Sequence, residues 1–204
     1  MDEPIILKWR GPLKIGSLPE SDTTIAALRV AAVYIFFRCY EGGTTLLYVG
    51  MAKNFTNRLA THYGDFLSSK VGTLYRSDGS VFRHGGLPAY FRSMQRTLDE
   101  TLTYAKADAY LTRFIYAPLA VDQLRVAVEV AIMVRLERLP TPPFIKWNTV
   151  PRTAKDLDSP IQSDNSALEL DLFTPEESDR LLKVILPVCH TSTRTALSAT
   201  GDRA

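Results

Sequence analysis

The chain has 204 residues, 46% hydrophobic and 23% charged, which is ordinary for a globular protein with one well-packed core. The net charge of +2 divides unevenly: residues 1–149 hold 18 Lys and Arg against 13 Asp and Glu, and residues 150–204 hold 6 against 9, which permits a phosphate-bearing partner without requiring one. The two cysteines lie far apart in the sequence, so no disulfide framework is expected. The N-terminus has no apolar stretch of signal-peptide length, and the longest apolar run, Val126 to Val134, is interrupted by Glu129 and is too short to span a membrane. We therefore expect a soluble cytoplasmic protein.

The first predicted elements in chain order are an extended segment, a short helix and a hairpin. Ile5–Trp9 is predicted to be extended, and "SDTTIAALR" to begin a helix capped by Ser21 or Asp22. "VAAVYIFFRCY" is nearly continuous in apolar residues, as in a buried strand, and the turn "EGG" joins it to the strand "TTLLYVGMA". "NFTNRLATHYGDFL" then reads as a helix with Asn54 at or near its N-cap.

The later elements are less regular. Residues 68–108 are predicted to be an insertion with a helix from about Pro88 to Tyr104, and "DAYLTRFIYAP" to be a third strand. "PLAVDQLRVAVEVAIMVRLERL" is the longest helical pattern, opened by Pro118, and "FIKWNTVPR" is extended or looped. A capping box of Thr174 and Glu177 starts a helix at about residues 174–187, before a frayed end.

These elements predict an α/β fold with a small, mostly antiparallel three-stranded sheet flanked by helices. Residues 1–29 are predicted to be an N-terminal extension, residues 30–150 the main domain with its insertion at about 68–108, and residues 151–204 an acidic, partly disordered extension with one appended helix.

The helix after the hairpin carries two stripes. Asn54, Arg58 and His62 recur every four residues on one stripe, and the apolar neighbours Phe55, Leu59 and Tyr63 form the next. The apolar stripe is predicted to pack on the sheet, which turns the polar stripe towards one edge of it.

The ordered set of motifs resembles the GIY-YIG nuclease family. It consists of "AVY" at 32–34, "YVG" at 48–50, an Arg eight residues after that Gly, a His one turn later, a Glu in the long helix and a late Asn. The resemblance covers about residues 30–150. Ala32 stands where the family usually has Gly, and Met51 where related repair nucleases often have Lys.

The resemblance implies a metal-dependent DNA endonuclease with a defined set of catalytic residues. Tyr34 would accept a proton from water, relayed through His62, Arg58 would hold the phosphate, and Tyr48 and Asn148 would complete the site. From the residues alone, the alternatives are that the tyrosines are half-buried strand residues, that Arg58 and His62 are surface groups, and that Asn148 forms a turn.

Glu129 is the only charged residue in "VAVEVAIMV". It is either an exposed ion-pair partner of Arg125 or, as the resemblance implies, the ligand of a Mg²⁺ (or Mn²⁺) cofactor that binds tightly only with substrate present.

Nucleic-acid contacts are predicted from the second motif, the helix start and the insertion. The insertion interleaves aromatic residues with basic ones, which suits a nucleic-acid surface, although a packed loop with ordinary surface arginines is an equal alternative. The predicted contact residues are Gly50, Lys53, Asn54, Lys70, Arg76, Arg83, Arg92 and Arg96.

The expected partner is DNA rather than RNA, with no membrane and with a homodimer as the way to cut both strands. Two alternatives stay open: a non-catalytic nucleic-acid-binding module on a nuclease scaffold, and an interaction protein whose acidic C-terminal helix docks a partner.

Overall fold

The computed structural model describes residues 3–14, 22–41, 45–67, 74–76, 78–83, 98–138, 144–146 and 160–185. These residues form an α/β structure around a six-stranded mixed sheet. Helices pack on both faces of the sheet, so the described part of the chain has three layers.

The sheet contains strands from the whole length of the described chain. In chain order the described strands are β1 (Ile5–Leu13), β2 (Ala32–Cys39), β3 (Thr45–Ala52), β4 (Leu74–Tyr75), β5 (Val81–Arg83), β6 (Arg113–Pro118), β7 (Phe144–Lys146) and β8 (Ile161–Leu168). The central sheet has the order β7–β3–β2–β6–β1–β8, and β4 pairs with β5 in a separate hairpin. Each neighbouring pair among the four inner strands is antiparallel, whereas the edge strand β7 pairs in parallel with β3 and the edge strand β8 in parallel with β1.

The prediction of a three-stranded sheet was wrong. The three predicted strands are present as β3, β2 and β6, but β1, β7 and β8 extend the sheet on both sides. Strand β8, "IQSDNSAL", is polar and lies at an edge, so it lacks the apolar alternation that identifies a half-buried strand. Its residues were predicted to belong to a partly disordered extension, yet they pair with β1.

The described α-helices are α1 (Asp22–Ala27), α2 (Phe55–Leu67), α3 (Leu98–Leu111), α4 (Asp122–Arg138) and α5 (Pro175–Ile185). Helix α3 continues through "DAYL", which we predicted to begin a strand, because Thr101, Ala105, Asp108 and Ala109 form one buried stripe of helical spacing. Pro118 ends β6 instead of opening α4. None of the helices in the described ranges is both long and apolar enough to cross a membrane.

Strand β2 lies at the centre of the fold and supplies both cores. Its odd-numbered residues Val33, Ile35 and Phe37 face α4 and α5, and its even-numbered residues Tyr34 and Phe36 face α2 and α3. Both faces are buried, which explains why its sequence is nearly continuous in apolar residues.

Helix α5 is part of the fold. The predicted capping box is confirmed, because Glu177 N–H donates to Thr174 Oγ1 (3.2 Å) and Thr174 N–H donates to Glu177 Oε2 (2.9 Å). Leu181 and Ile185 are buried in the core shared with α4. The apolar face of this helix is therefore occupied within the chain. The segment predicted to fray, with Cys189, lies outside the described residues.

Candidate active site

The two tyrosines of the motifs lie side by side on the face of the sheet that α2 covers. Tyr34 of β2 is opposite Gly50 of β3, and Tyr48 is two residues back along β3, opposite Phe36. The rings of Tyr34 and Tyr48 are nearly parallel, with centroids 6.1 Å apart. Residues of the same parity on neighbouring strands share a face, and this brings both phenols to one place.

Gly50 provides the space for the Tyr34 ring. A Cβ atom at this position would lie 2.5 Å from Tyr34 Cζ and 2.7 Å from Tyr48 Cε1, closer than real contacts allow. The glycine was predicted as a nucleic-acid contact; the structure gives it a packing role, in which the phenol lies directly over the backbone of β3.

Helix α2 brings the guanidinium and the imidazole to these phenols. Asn54 caps the helix by accepting a hydrogen bond from Asn57 N–H at 3.1 Å, as predicted. Phe55 and Leu59 are buried in the core on this face of the sheet. Arg58 and His62 therefore occupy the neighbouring stripe, which faces Tyr34 and Tyr48.

Hydrogen bonds join these four side chains, which we name the Tyr–Arg–His cluster (Tyr34, Tyr48, Arg58 and His62). Arg58 Nε donates to Tyr34 Oη at 2.9 Å, and Arg58 Nη2 donates to Tyr48 Oη at 3.2 Å. Tyr34 Oη is also 2.8 Å from His62 Nε2. Tyr34 is thus the junction of the cluster, with a cation on one side and an imidazole on the other.

The protonation states follow from burial and from neighbouring charges. Burial raises the pKa of Tyr34, and proximity to Tyr48 adds to this, although the Arg58 guanidinium acts in the opposite direction. Burial, followed by the charges of Arg58 and Arg38, lowers the pKa of His62 to about 4. At neutral pH both groups are uncharged. We assign the shared proton to Tyr34 Oη, which leaves Nε2 of His62 as the acceptor.

Glu129 of α4 lies within electrostatic range of this cluster. Burial raises the pKa of its carboxyl group, and the positive charge of Arg58 opposes that shift. Arg125 is not its partner, because Arg125 pairs with Asp122 and donates to the carbonyl groups of Leu119 and Ala120. Helix α4 covers the opposite face of the sheet, and the Arg58 guanidinium acts on this carboxyl group through its charge.

Glu129 offers a single carboxylate as a metal ligand. No group of three or more His, Cys, Asp or Glu side chains that could hold a metal occurs among the described residues. A half-buried carboxylate matches a hard cation that keeps most of its water and takes further oxygen ligands from a phosphate. Glu129 is the residue that would hold such an ion.

The remaining predicted nucleic-acid contacts have different surroundings. The Lys53 side chain is 84% exposed and its Nζ is 3.3 Å from Asp122 Oδ2. Arg76 donates to Ser80 Oγ (3.3 Å) and to Val81 O (2.8 Å) and lies over the Phe82 ring, so its guanidinium holds the β4–β5 hairpin together. Arg83 lies on β5 and its side chain is not described. Asn148, Lys70, Arg92 and Arg96 lie outside the described residues.

Two buried charged residues near the cluster were not predicted. Arg38 of β2 and Asp108 of α3 form a buried ion pair between the sheet and α3, with Nη1 and Oδ2 2.9 Å apart. The signal was available in "VYIFFRCY", because Arg38 is the only charge inside this apolar run. A lone charge in such a run must be paired if the run is buried.

In comparisons with known proteins, the chain matches no family model, no curated protein and no solved structure.

Proposed function

We propose that this protein is a metal-dependent endonuclease of the GIY-YIG type that hydrolyses DNA phosphodiester bonds by direct attack of water. The observation that carries the proposal is the Tyr–Arg–His cluster, in which one guanidinium bridges two phenols and an imidazole accepts from the first phenol. Residues up to 28 positions apart in sequence meet in this cluster, and the motif resemblance assigns a role to each of them.

The proton chemistry follows from the order of the hydrogen bonds. As the water oxygen forms its bond to phosphorus, Tyr34 Oη takes a proton from the water and passes its own proton to Nε2 of His62. The bond from phosphorus to the leaving oxygen breaks, and that oxygen takes a proton from solvent water to give an alcohol, while His62 returns its proton to solvent. A phenol with a raised pKa is a poor base alone, so the adjacent neutral imidazole is essential to this step.

Arg58 and Glu129 supply the charges. The bonds to Tyr34 and Tyr48 use only some of the five donors of a guanidinium, so Arg58 can also bind the scissile phosphate and stabilise charge developing on it. Glu129 would hold Mg²⁺, which stabilises negative charge on phosphate oxygens when bound. One such site cuts one strand, so a double-strand break requires a second copy or a second visit.

The test is cleavage of supercoiled plasmid with Mg²⁺ or Mn²⁺, with and without EDTA. Tyr34→Phe removes only the Oη atom, and we expect it to abolish cutting; Glu129→Gln should do the same. The matched control is Tyr63→Phe, which removes a buried phenol from α2 whose Oη has no hydrogen-bond partner among the described residues. We expect that variant to cut as the wild type does.

The outcomes separate the alternatives. Cutting that persists in Tyr34→Phe or Glu129→Gln contradicts the assigned mechanism. If the wild type cuts neither DNA nor RNA but shifts them in a gel, the protein is a non-catalytic binding module. Met51 favours this alternative, because its side chain is 39% exposed where related repair nucleases often have a Lys. If it neither cuts nor binds, the proposal fails entirely.

A further inference from the structure

The ion pair of Arg38 and Asp108 is part of a fully buried polar cluster, which we name the Arg38 cluster (Arg38, Tyr40, Asp108 and Thr112). The exposed fractions of Arg38 and Asp108 are 1% and 3%. Arg38 Nε donates to Thr112 Oγ1 at 2.5 Å, Tyr40 Oη donates to Asp108 Oδ1 at 3.1 Å, and Thr112 Oγ1 donates to Asp108 O at 2.7 Å. The guanidinium is thereby fixed in position on β2.

Stability alone is a weak reason for this arrangement. Two charges that are removed from water lose hydration free energy that their mutual attraction repays only in part, so apolar residues of similar size commonly stabilise such a position as well or better. The carboxyl group shows the cost directly, because burial raises the pKa of Asp108 despite the adjacent guanidinium. A fixed buried cation has another physical effect, which is to act on nearby titratable groups through a low-dielectric interior.

The group on which Arg38 acts is the histidine of the Tyr–Arg–His cluster. Arg38 follows Tyr34 and Phe36 on the same face of β2, and the Phe36 ring contacts both His62 (centroids 5.2 Å apart) and Tyr48 (4.8 Å). The positive charge of Arg38 disfavours protonation of His62, after burial and Arg58 in order of size. The described titratable and charged groups around this imidazole are Tyr34 and Arg38 on β2, Tyr48 on β3 and Arg58 on α2. Asp108 of α3 pairs with Arg38, and the charge of Arg58 also acts on Glu129 of α4.

The two arginines differ in how a substrate affects them. Arg58 is partly exposed and faces the phenols, so a bound phosphate would offset its charge. Arg38 is enclosed by the Arg38 cluster and cannot reach a phosphate. In a substrate complex, Arg38 is therefore the cation that continues to act on His62.

We infer that Arg38, held in place by Asp108 of α3, is a positioning residue that keeps His62 neutral and available to accept the proton of Tyr34. The electrostatic part of this inference rests on the fixed position of Arg38 beside Phe36 and on the effect of its charge on His62. Its catalytic consequence rests on the proposed function. It also connects the predicted insertion to the site, because α3 supplies the carboxylate that fixes Arg38.

The direct test is an NMR titration of His62 in the DNA-free protein, which is practical because the chain has only three histidines. We expect Arg38→Met to raise the pKa of His62, with an increase in proton affinity of up to about sixfold, because Arg38 is the smallest of the three causes that together lower this pKa from 6.5 to about 4. Arg38→Lys keeps the positive charge and should give a smaller rise. The matched control is Arg125→Met, since Arg125 is also buried and paired with a carboxylate but is not among the charges that act on His62.

Arg38→Met leaves the buried Asp108 carboxyl without its cation, which could prevent folding or itself change the pKa of His62. A double variant removes both charges and so avoids these two effects. In Arg38→Met/Asp108→Leu both charges are replaced by apolar side chains of similar size, and the same rise is expected. An unchanged pKa of His62 in both variants would overturn the inference, as would an equal rise in Arg125→Met.

Cleavage provides the second readout. If the wild type cuts DNA, the acidic limb of its pH profile should move to higher pH in Arg38→Met but not in Arg125→Met, and a limb that stays in place would refute the positioning role. If the pKa rises as expected but no protein cuts DNA, the electrostatic inference holds and the proposed function fails.

Discussion

Replacing Gly50 with Ala tests the geometry of the site with the smallest possible change. The added Cβ would lie 2.5 Å from Tyr34 Cζ, about an ångström inside normal contact. The Tyr34 ring cannot easily retreat, because it is fully buried against Phe55 (centroids 5.4 Å apart) and β2 is paired on both sides. Overpacking of this kind costs about 1–3 kcal/mol of unfolding free energy.

The effect on catalysis should exceed the effect on stability. Any movement of the ring that relieves the clash also moves Tyr34 Oη away from His62 Nε2 and Arg58 Nε, which are now at 2.8 and 2.9 Å. A misplacement of about 1 Å at a reacting group can reduce a rate about a hundredfold. We therefore expect Gly50→Ala to be folded, destabilised and nearly inactive.

The assays are urea unfolding and plasmid cleavage, with Gly64→Ala as the matched control. Gly64 also lies near the site in sequence, but a Cβ there meets nothing within 4 Å, and as an interior residue of α2 it should gain up to about 1 kcal/mol from the alanine. If Gly50→Ala unfolds at the same urea concentration as the wild type and cuts DNA at the same rate, the close packing of Tyr34 over β3 is refuted.

Three further predictions concern protonation and helix ends. The pKa of His62 is about 4 in the folded protein against an ordinary 6.5, so the unfolded chain binds the imidazole proton more tightly. The free energy of unfolding is therefore highest above about pH 6.5. It falls by about 3 kcal/mol in total as the pH drops through about 4. Urea unfolding of the wild type and His62→Gln at pH 7.5 and 4.5 measures this difference, and equal losses in both proteins would contradict it. Asn54→Ala removes the N-cap of α2 and should cost about 1 kcal/mol, whereas Asn57→Ala, at an exposed helical position, should cost little in the same assay. Thr174→Ala removes one bond of the capping box and should destabilise α5 by about 1 kcal/mol, measured as faster hydrogen exchange of its amides; unchanged exchange would mean that the cap contributes nothing.

The candidate site was predictable because local rules place most of its residues. Strand alternation and the antiparallel register put Tyr34 and Tyr48 on one face, and the four-residue spacing puts Arg58 and His62 on one helical stripe. The meeting of the strand pair with the helix was suggested by the motif resemblance. The approach of Glu129 from α4 depends on how two layers pack across the sheet, which spacing along the chain does not determine.

The rest of the sheet could not be predicted because its strands carry little local signal. Strand β7 has three residues, and β8 is a polar edge strand whose pairing with β1 is purely long-range. The residues "DAYL" alternate as in a strand, but Asp108 also lies at helical spacing from Ala105 and Thr101. The segment is helical because that spacing buries all three residues on one face. The pairing of Arg38 with Asp108 was not predicted, because the two residues are 70 positions apart and nothing in the apolar run of β2 identifies the partner of its one charge.

The position of β1 affects how the molecule reaches its native state. Strand β1 is made first, yet it lies between β6 and β8, and Trp9 is buried with its Nε1 3.2 Å from Ser163 Oγ of β8. During synthesis this early segment must wait for partners that leave the ribosome much later, and such non-local pairing is intrinsically slow. The sheet on which Tyr34 and Tyr48 lie is therefore complete only after most of the described chain has emerged, so the nascent protein carries the motifs before the β1–β8 edge of that sheet can form.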